Sequence, residues 1–138
     1  MKQIIMNSFA IDTNILIYSH NQNTDIKQDI ARNLIIKSPV VSTQVISEYI
    51  NVLKRTMKIP KQQILSTCLP NLKCCSIFKV DVSTLQCAEY LIQRYDFQVF
   101  DTIIVATALE AGCQTLYSED MQHNMKIERQ LTVVNPFI

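Results

Sequence analysis

Hydrophobic residues along the chain fall into two recurring patterns, which predict short strands separated by helices. In the first pattern, short runs rich in apolar and β-branched residues are bounded by polar residues or proline. The predicted strands cover residues 8–11, 40–41, 75–80, 114–117 and 131–134. In the second pattern, apolar residues recur at spacings of three and four. The predicted helices cover residues 24–37, 43–57, 60–69, 83–94 and 102–111.

Capping residues indicate where several of these helices begin or end. Thr24 and Asp25 are expected to cap the first helix. Ser83 with Gln86 has the pattern of a capping box for the fourth. Gly112 stands where a left-handed residue would close the last helix. These local signals agree with the helical spacing and support the same order of elements.

The alternation of strands with helices predicts an α/β fold. Strands joined through helices favour right-handed crossovers and a largely parallel central sheet flanked by helices. The length of 138 residues is close to the commonest size of one domain, and 48% hydrophobic content with one glycine is typical of a globular chain. Because the sequence contains no internal repeat and no linker, we expect a single domain over residues 1–138.

Charge is nearly balanced along the chain. Thirteen basic and twelve acidic residues give a net charge of +1, so no global field marks nucleic acid as a partner. Contact with a nucleic-acid backbone would therefore have to be local. The best candidate is a basic cluster formed by Lys54, Arg55, Lys58 and Lys61. A solvated helix face is the alternative explanation of these four residues.

Cysteine spacing and hydropathy bear on the cellular compartment. The five cysteines are an odd number without a C-x-x-C spacing, so a disulfide framework and a zinc site are both poorly supported. The apolar run near the N-terminus is too brief for a secretory signal, and no apolar stretch reaches the roughly eighteen residues of a membrane span. We therefore expect a cytoplasmic protein that does not associate with a membrane.

Two aspartates follow predicted strands. In open parallel α/β sheets, ligands bind beyond the carboxyl ends of the strands. Asp12 comes directly after the first predicted strand, and Asp120 comes shortly after the fourth. Each aspartate alone is also explained as a helix N-cap or a loop acid. Together they indicate a shared site at one edge of the sheet.

Asp101 heads a predicted helix that is apolar nearly all round. It shares its side of the helix with Ile104, Val105 and Ala108, and Glu110 is the obviously polar position. Because burying an unpaired charge is very costly, a carboxylate in this place needs a salt bridge, helix N–H groups or a metal ion. The sequence leaves these three partners open.

Glu48 lies at the flank of an apolar helix stripe, which is formed by Ile46, Ile50, Leu53 and Met57. From this flank its side chain can reach the edge of the sheet. Taken by itself, however, it is explained as an ordinary surface glutamate. A functional interpretation of Glu48 therefore depends on the other three acids.

In chain order, Asp12, Glu48, Asp101 and Asp120 resemble the acidic quartet of PIN-domain nucleases, and specifically of VapC-like toxins from type II toxin–antitoxin systems. The surrounding strings strengthen the resemblance and span nearly the whole chain. They are A-I-D-T-N-I at 10–15, S-E at 47–48, F-D-T-I-I-V-A-T-A at 100–108, L-Y-S-E-D-M-Q-H at 116–123 and V-V-N-P-F at 133–137. Three positions depart from the family pattern: Gln98 replaces a frequent serine, Thr102 an alanine and Asn124 a glycine.

The resemblance implies a PIN fold, a three-layer sandwich whose twisted, mostly parallel sheet gathers the four acids into one pocket. It implies an endoribonuclease that depends on Mg²⁺, or on Mn²⁺, and hydrolyses RNA phosphodiester bonds, with a tRNA anticodon loop as an expected target. Asp12, Asp101 and Asp120 are then metal ligands, and Glu48 is a ligand or orients the attacking water. Oxygen ligands suit these cations better than zinc. No organic cofactor is implied.

The resemblance also implies protein partners and a supporting set of polar residues. A VapB-like antitoxin would inhibit the nuclease, and the nuclease itself would form a homodimer. Ser118 and Asn14 could support the metal ligands through hydrogen bonds, but simple capping is the favoured explanation of both. Glu119 is the alternative to Asp120, although the S-x-D spacing favours Asp120. His123 could approach the substrate, but an exposed loop histidine is the simpler explanation.

Two other classes of function remain open at this point. The chain could be a non-catalytic PIN-like module that presents a metal or an acidic pocket to a protein partner. It could also be a metal-dependent phosphatase or receiver domain built on a similar sheet. Those proteins usually carry a second acid beside the first aspartate, whereas Asp12 is followed by Thr13 and Asn14.

Overall fold

Short strands form one central sheet with helices packed around it. The structure is a computed structural model, and it describes residues 8–20 and 25–138. The strands are β1 (Phe9–Ile11), β2 (Val40–Ser42), β3 (Ser76–Phe78), β4 (Thr115–Tyr117), β5 (Lys126–Ile127) and β6 (Leu131–Val134). The helices are α1 (Thr13–Tyr18), α2 (Asp25–Ile35), α3 (Thr43–Met57), α4 (Lys61–Lys73), α5 (Val82–Arg94) and α6 (Val99–Glu110).

The sheet grows in two directions from β1. Its strand order is β3-β2-β1-β4-β6-β5, and its pairings are parallel except for the antiparallel pair of β5 with β6. Because β1 pairs with both β2 and β4, the connections that leave these strands diverge and open a crevice beyond their carboxyl ends. The predicted α/β class, with a mostly parallel sheet flanked by helices, is confirmed.

The hydrophobic core lies between the strands and the apolar faces of the helices. Helix α6 is buried at every position from Thr102 to Ala108, which confirms the prediction that it is buried nearly all round. Helix α3 buries Val45, Tyr49 and Leu53. Met57 is 47% exposed, although the spacing predicted it on the apolar side. The stripe ends before Met57 because α3 itself ends there, at a left-handed cap.

The start of α5 corrects the predicted capping box. The cap is Asp81, whose carboxylate accepts a hydrogen bond from Thr84 N at 3.2 Å, while Thr84 Oγ1 accepts one from Asp81 N at 3.2 Å. Ser83 lies inside the first turn, where its hydroxyl donates to Asp81 Oδ1 and to Glu110 Oε2. The box of Ser83 with Gln86 was wrong because the helix begins earlier, and aspartate caps a helix as well as serine does.

Other element boundaries also differ from the predictions. Helix α4 continues through Pro70 to Lys73 although proline lacks the N–H of one helical hydrogen bond, because the buried Ile64 and Cys68 anchor the helix in the core. Helix α6 begins at Val99, earlier than the predicted start at 102, so Asp101 lies in its first turn. Strands as short as β5 carry too little pattern to be predicted, and β5 was missed.

The structure also bears on the predictions about helix ends and membrane-spanning segments. Gly112 has the expected left-handed conformation, with φ of +76°. Thr24, one of the two expected caps of α2, lies outside the described residues. Among residues 8–20 and 25–138, no helix has both the length and the apolar character needed to cross a membrane.

Candidate active site

Asp12 lies where β1 ends and α1 begins. Its backbone N–H continues the β1–β4 pairing by donating to Tyr117 O at 3.0 Å. Its carboxylate, as the N-cap of α1, accepts hydrogen bonds from Thr13 N at 2.6 Å and from Ser118 Oγ at 2.8 Å. The residue is 5% exposed. The turn from strand to helix therefore holds a buried carboxylate in one orientation.

Burial makes the charge on Asp12 costly. Desolvation raises the pKa of Asp12 from 3.8 to about 6, against the lowering effect of the hydrogen bonds from Ser118 and Thr13. The negative charges of Asp101 and Asp120 raise it further. The charges of Asp101 and Asp120 therefore interact with that of Asp12, although the three residues are far apart in the sequence.

Asp120 follows β4 in a loop that hydrogen bonds tie to α1. Asn14 Nδ2 donates to Asp120 Oδ2 at 3.1 Å, and Asp120 N donates to Ser118 Oγ at 3.3 Å. Ser118 thus contacts Asp12 through its hydroxyl proton and accepts from the backbone of the Asp120 loop with the same oxygen. Ser118 and Asn14 thus contact the two aspartates, as the less favoured interpretation of the sequence required, and Asp12 itself caps α1.

The neighbouring acid, Glu119, points to different partners. Its carboxylate forms an ion pair with Lys27 Nζ at 2.6 Å and accepts a hydrogen bond from Tyr18 Oη at 2.6 Å. Lys27 Nζ also lies 4.6 Å from the centroid of the Tyr18 ring. Because this charge is already compensated and Asp120 faces the pocket instead, the geometry favours Asp120 over Glu119 as the functional acid.

Asp101 lies in the first turn of the buried helix α6 and lacks two of the three partners considered from the sequence. The cap of α6 is Gln98, so Asp101 does not cap the helix, and within the described chain no hydrogen bond or ion pair involves its carboxylate. Desolvation raises the pKa of Asp101, and the charges of Asp120 and Glu48 raise it further. The carboxylate is half-buried at the wall of the open pocket, so solvent and a bound cation are the partners left for this charge.

Glu48 projects from α3, in its second turn, and is exposed. It lines the same pocket as the three aspartates, and its charge contributes to the raised pKa of Asp101. The structure thus brings all four acids, which come from separate elements, around one pocket. Their predicted roles as metal ligands and catalytic groups remain predictions.

The pocket that contains the acids is open and has a volume of about 870 Å³. Neutral polar side chains from α1, α3 and the N-cap of α6 share its walls with the acids: Asn14, Gln44, Ser47, Asn51 and Gln98. Tyr18 and Phe100 line it as well. No lysine, arginine or histidine is among the described residues that line the pocket. Its charge is therefore strongly negative.

The residues of this pocket fit a divalent cation in their chemistry. Carboxylate oxygens without nitrogen or sulfur donors match Mg²⁺ and Mn²⁺. Thr13, which lines the pocket beside Asp12, has a buried hydroxyl without a hydrogen-bond partner, as expected where a bound group would complete the contacts. In the described ranges, no three acidic, histidine or cysteine side chains converge closely enough to hold one ion. Side-chain rotation of the exposed Glu48 and Asp120 would be needed to close the site.

Other residues considered from the sequence lie outside the pocket. His123 is exposed, and its Nδ1 accepts a hydrogen bond from Asn135 N at 2.9 Å, so it stabilises a loop. The four residues of the basic cluster are exposed at the end of α3 and the start of α4, and none forms an ion pair with another described residue.

Sequence reasoning missed several residues that line the pocket. Gln44, Asn51, Gln98 and Phe100 carry no local signal of function, because their significance arises only when α3 and α6 meet at the sheet edge. The helical spacing of Glu48, Asn51 and Val52 is the one signal that could have found Asn51.

Comparisons with known proteins agree with this geometry. A model of the PIN domain family matches residues 9–126. No curated protein matches the chain significantly.

Solved structures with a similar fold include three that are 18–21% identical in sequence. VapC20 of Mycobacterium tuberculosis, a toxin described as cleaving the sarcin–ricin loop, has a TM-score of 0.64 at 18% identity, with 82% of this chain and 90% of that chain covered. A toxin–antitoxin complex from Klebsiella pneumoniae has a TM-score of 0.68 at 21% identity, covering 95% and 98%. VapBC2 of Rickettsia felis, bound to a promoter DNA fragment, has a TM-score of 0.68 at 18% identity, covering 92% and 98%.

The raised pKa of Asp12 predicts a pH-dependent stability. Because the folded-state pKa of about 6 exceeds the unfolded value near 3.8, the folded state binds the proton more tightly, and the contribution of Asp12 becomes less favourable as pH rises from about 4 to 6. Above pH 6 the unfavourable contribution levels off at about 3 kcal/mol. In Asp12→Asn, which can still accept from Thr13 N, this contribution disappears.

Urea unfolding in EDTA between pH 4.5 and 7.5 measures the effect. The free energy of unfolding of Asp12→Asn relative to wild type should increase with pH and level off above about pH 6. Glu110→Gln, which removes an exposed acid at the other end of α6, is the control and should show a nearly constant difference. A constant difference for Asp12→Asn as well would contradict the predicted titration.

Proposed function

The chain belongs to the PIN domain family, and from that premise we propose that it is a VapC-like toxin, an endoribonuclease that depends on Mg²⁺ or Mn²⁺ and hydrolyses RNA in the cytoplasm. The observation that carries the proposal is the set of four acids, Asp12, Glu48, Asp101 and Asp120, around one pocket without a cation in its walls. Such a cluster is unfavourable when empty, as the raised pKa values of Asp12 and Asp101 indicate.

Each acid has a distinct role in this proposal. Asp12, fixed by Ser118 and Thr13, is the rigid ligand, and Asp101 is the ligand whose charge has no other partner. Asp120, held by Asn14, is the adjustable third ligand. A bound divalent cation would lower the pKa of the attacking water and offset the charge that develops on the phosphate. Glu48 is exposed and free of hydrogen bonds to other described residues, so it suits either coordination or the orientation of water.

The proposed substrate is an unpaired segment of a structured RNA, with a tRNA anticodon loop as the expected case. Proteins read RNA sequence mainly at loops, where bases are unstacked and accessible. The structurally similar VapC20 is described as cleaving the sarcin–ricin loop. The open shape of the pocket and its neutral amide side chains suit a strand whose bases are splayed apart.

The proposed partners are a VapB-like antitoxin and a second copy of the chain. Two of the structurally similar proteins are toxin–antitoxin complexes. A pocket with four acids and no cation suits a basic side chain of an inhibitor, which would occupy the place of metal and substrate. For the homodimer, a shallow apolar groove between α5 and α6, lined by Leu85, Ile92, Val99 and Ile103 among others, is the candidate interface.

Substitution of Asp101 tests the catalytic proposal. Asp101→Asn keeps the shape of the side chain but removes its charge, so we expect loss of at least about a hundredfold in cleavage of RNA with Mg²⁺. Expression of the wild type in cells should arrest growth, co-expression of the antitoxin should relieve the arrest, and Asp101→Asn should be harmless. Added Mn²⁺ should raise the melting temperature of the wild type more than that of the variant.

Glu110→Gln is the matched control, because it removes an acid from the other end of the same helix. It should cleave RNA like the wild type. Equal cleavage by wild type and Asp101→Asn would reject the assigned site. A wild type that binds Mn²⁺ but cleaves no RNA would instead support a non-catalytic PIN-like binding module.

The salt dependence of RNA binding tests the basic cluster of Lys54, Arg55, Lys58 and Lys61. On α3, Arg55 lies one turn beyond Asn51 and Val52, so it extends the pocket wall outward. Each lost contact with a single-stranded phosphate should reduce the slope of log affinity against log salt by about 0.7. We expect the fourfold glutamine variant to lose roughly two such contacts.

The control replaces a second basic group, Arg94, Lys126 and Arg129, which lies at the β5–β6 hairpin and does not line the acidic pocket. That variant should keep the wild-type slope. If the fourfold variant also keeps it, the basic cluster is a solvated helix face and not a phosphate contact.

Light scattering tests the homodimer. Leu85 is 47% exposed on α5, and Leu85→Glu places a charge in the apolar groove, so we expect this variant to have the mass of one chain where the wild type has that of two. Leu65→Glu, at a position that is 57% exposed on α4, is the control and should remain dimeric. A monomeric wild type would contradict the homodimer. A dimeric Leu85→Glu would place the interface elsewhere.

A further inference from the structure

The acidic pocket offers little direct attraction for a polyanion. Four carboxylates and no cationic side chain line it in the described chain, so apart from a bound metal ion the pocket has no positive charge for the phosphates, and contacts with the bases would add local binding energy. Bases bind to proteins through stacking on aromatic rings and through hydrogen bonds to their edges. Aromatic rings and amides in the walls of the pocket are the groups that can make such contacts.

Phe100 is the aromatic side chain that is available for stacking. It is 68% exposed, lines the pocket, and directly precedes Asp101 in the first turn of α6. Its neighbour Val99 lines the groove between α5 and α6 instead, so the two adjacent side chains face different surfaces. The exposure of Phe100 is thus not explained by the groove that the homodimer would cover.

The other aromatic residue of the pocket, Tyr18, is already engaged. Its hydroxyl donates to Glu119 at 2.6 Å, and its ring packs edge-on against Phe137, with ring centroids 5.0 Å apart. Lys27 Nζ lies 4.6 Å from the centroid of its ring. Within the described part of the pocket, this leaves Phe100 as the ring with a free face.

Hydrogen bonds fix the backbone that carries Phe100. Gln44 Nε2 donates to Phe100 O at 3.2 Å and so joins α3 to the first turn of α6. Thr102 donates to Gln98 O twice, from its backbone N at 2.9 Å and from its hydroxyl at 2.8 Å. The ring is therefore presented from a rigid turn, which reduces the entropy lost on binding.

Neutral amides share the pocket with the ring. Gln44, Asn51 and Gln98 line the same pocket, and an amide can donate to and accept from the edge of a base. The pocket volume of about 870 Å³ is large enough for a base on the ring together with a phosphate at the acids.

We propose that Phe100 is the stacking platform for an unpaired nucleobase of the RNA, placed beside the phosphate that the acids of the pocket cleave. The inference rests on the proposed nuclease function and deepens it, because it assigns a substrate-binding residue next to Asp101. Stacking is tolerant of base identity. The platform therefore selects single-stranded over paired RNA, and the amides refine the choice of base.

Three variants at position 100 and a fluorescent substrate test the proposal. The substrates are oligoribonucleotides with 2-aminopurine at successive positions around the cleavage site, mixed with the full chain and Mg²⁺. We expect fluorescence quenching at one position with wild type and with Phe100→Tyr, but not with Phe100→Leu or Phe100→Ala. The loss of the ring should raise KM so that kcat/KM falls about tenfold, with a smaller effect on kcat.

An abasic nucleotide at the quenched position sharpens the test. It should reduce kcat/KM of wild type by a similar factor and have little further effect on Phe100→Ala, because the base and the ring are the two sides of one contact. Unchanged quenching and kcat/KM in Phe100→Ala would overturn the inference. Wild-type activity of Phe100→Leu would overturn it as well. If a Phe100 variant instead lost the dimer or antitoxin binding while it still cleaved RNA, the ring would belong to a protein interface. A wild type that cleaves no RNA fails the proposed function itself.

Discussion

The repulsion among buried and half-buried carboxylates is the constraint on which the site depends. Asp12 is almost fully buried, and both its desolvation and the charges of Asp101 and Asp120 raise its pKa. A fold can tolerate such a cluster only if the surrounding structure is stable enough to hold the acids together without their counter-ion. The buried helix α6 and the parallel strands β1 and β4 supply that stability. The hydrogen bonds of Ser118 and Thr13 fix the first acid but do not neutralise it.

The topology of the sheet explains why these acids meet. Because β1 pairs with β2 on one side and β4 on the other, the segments that follow β1 and β4 emerge side by side, which brings Asp12 and Asp120 together. Helix α3 follows β2 directly and carries Glu48 toward the same edge. Helix α6, which comes much later in the sequence, adds Asp101. The adjacent acids Glu119 and Asp120 differ in their surroundings. The charge of Glu119 is compensated by Lys27, whereas Asp120 lines the pocket.

The sequence predicted what local pattern controls and missed what tertiary packing controls. Asp12 and Asp120 were found because a strand followed by an acid is a local pattern, and the burial of α6 followed from its apolar residues. The place of Glu48 could not be derived from its helix alone, and its inclusion relied on the family resemblance. The course of α4 through Pro70 depends on core contacts of Ile64 and Cys68. Asn124 departs from the family pattern, yet it keeps a left-handed conformation, with φ of +67°, that glycine or asparagine readily adopts.

The nearly balanced charge of the chain is compatible with the proposed nuclease function. A nuclease that gripped RNA through phosphates would need a basic groove, and such a groove beside four acids would satisfy their charges with lysine or arginine instead of a metal ion. Under the proposed function, the absence of basic side chains from the described walls would leave the carboxylates free for a divalent ion, and those walls include amides and the exposed ring of Phe100. Under the proposed function, phosphate contacts would lie at the outer end of α3, where the basic cluster is exposed. Selectivity would accordingly depend on whether bases are free to leave their own stack, which is a property of loops in RNA and not of helices.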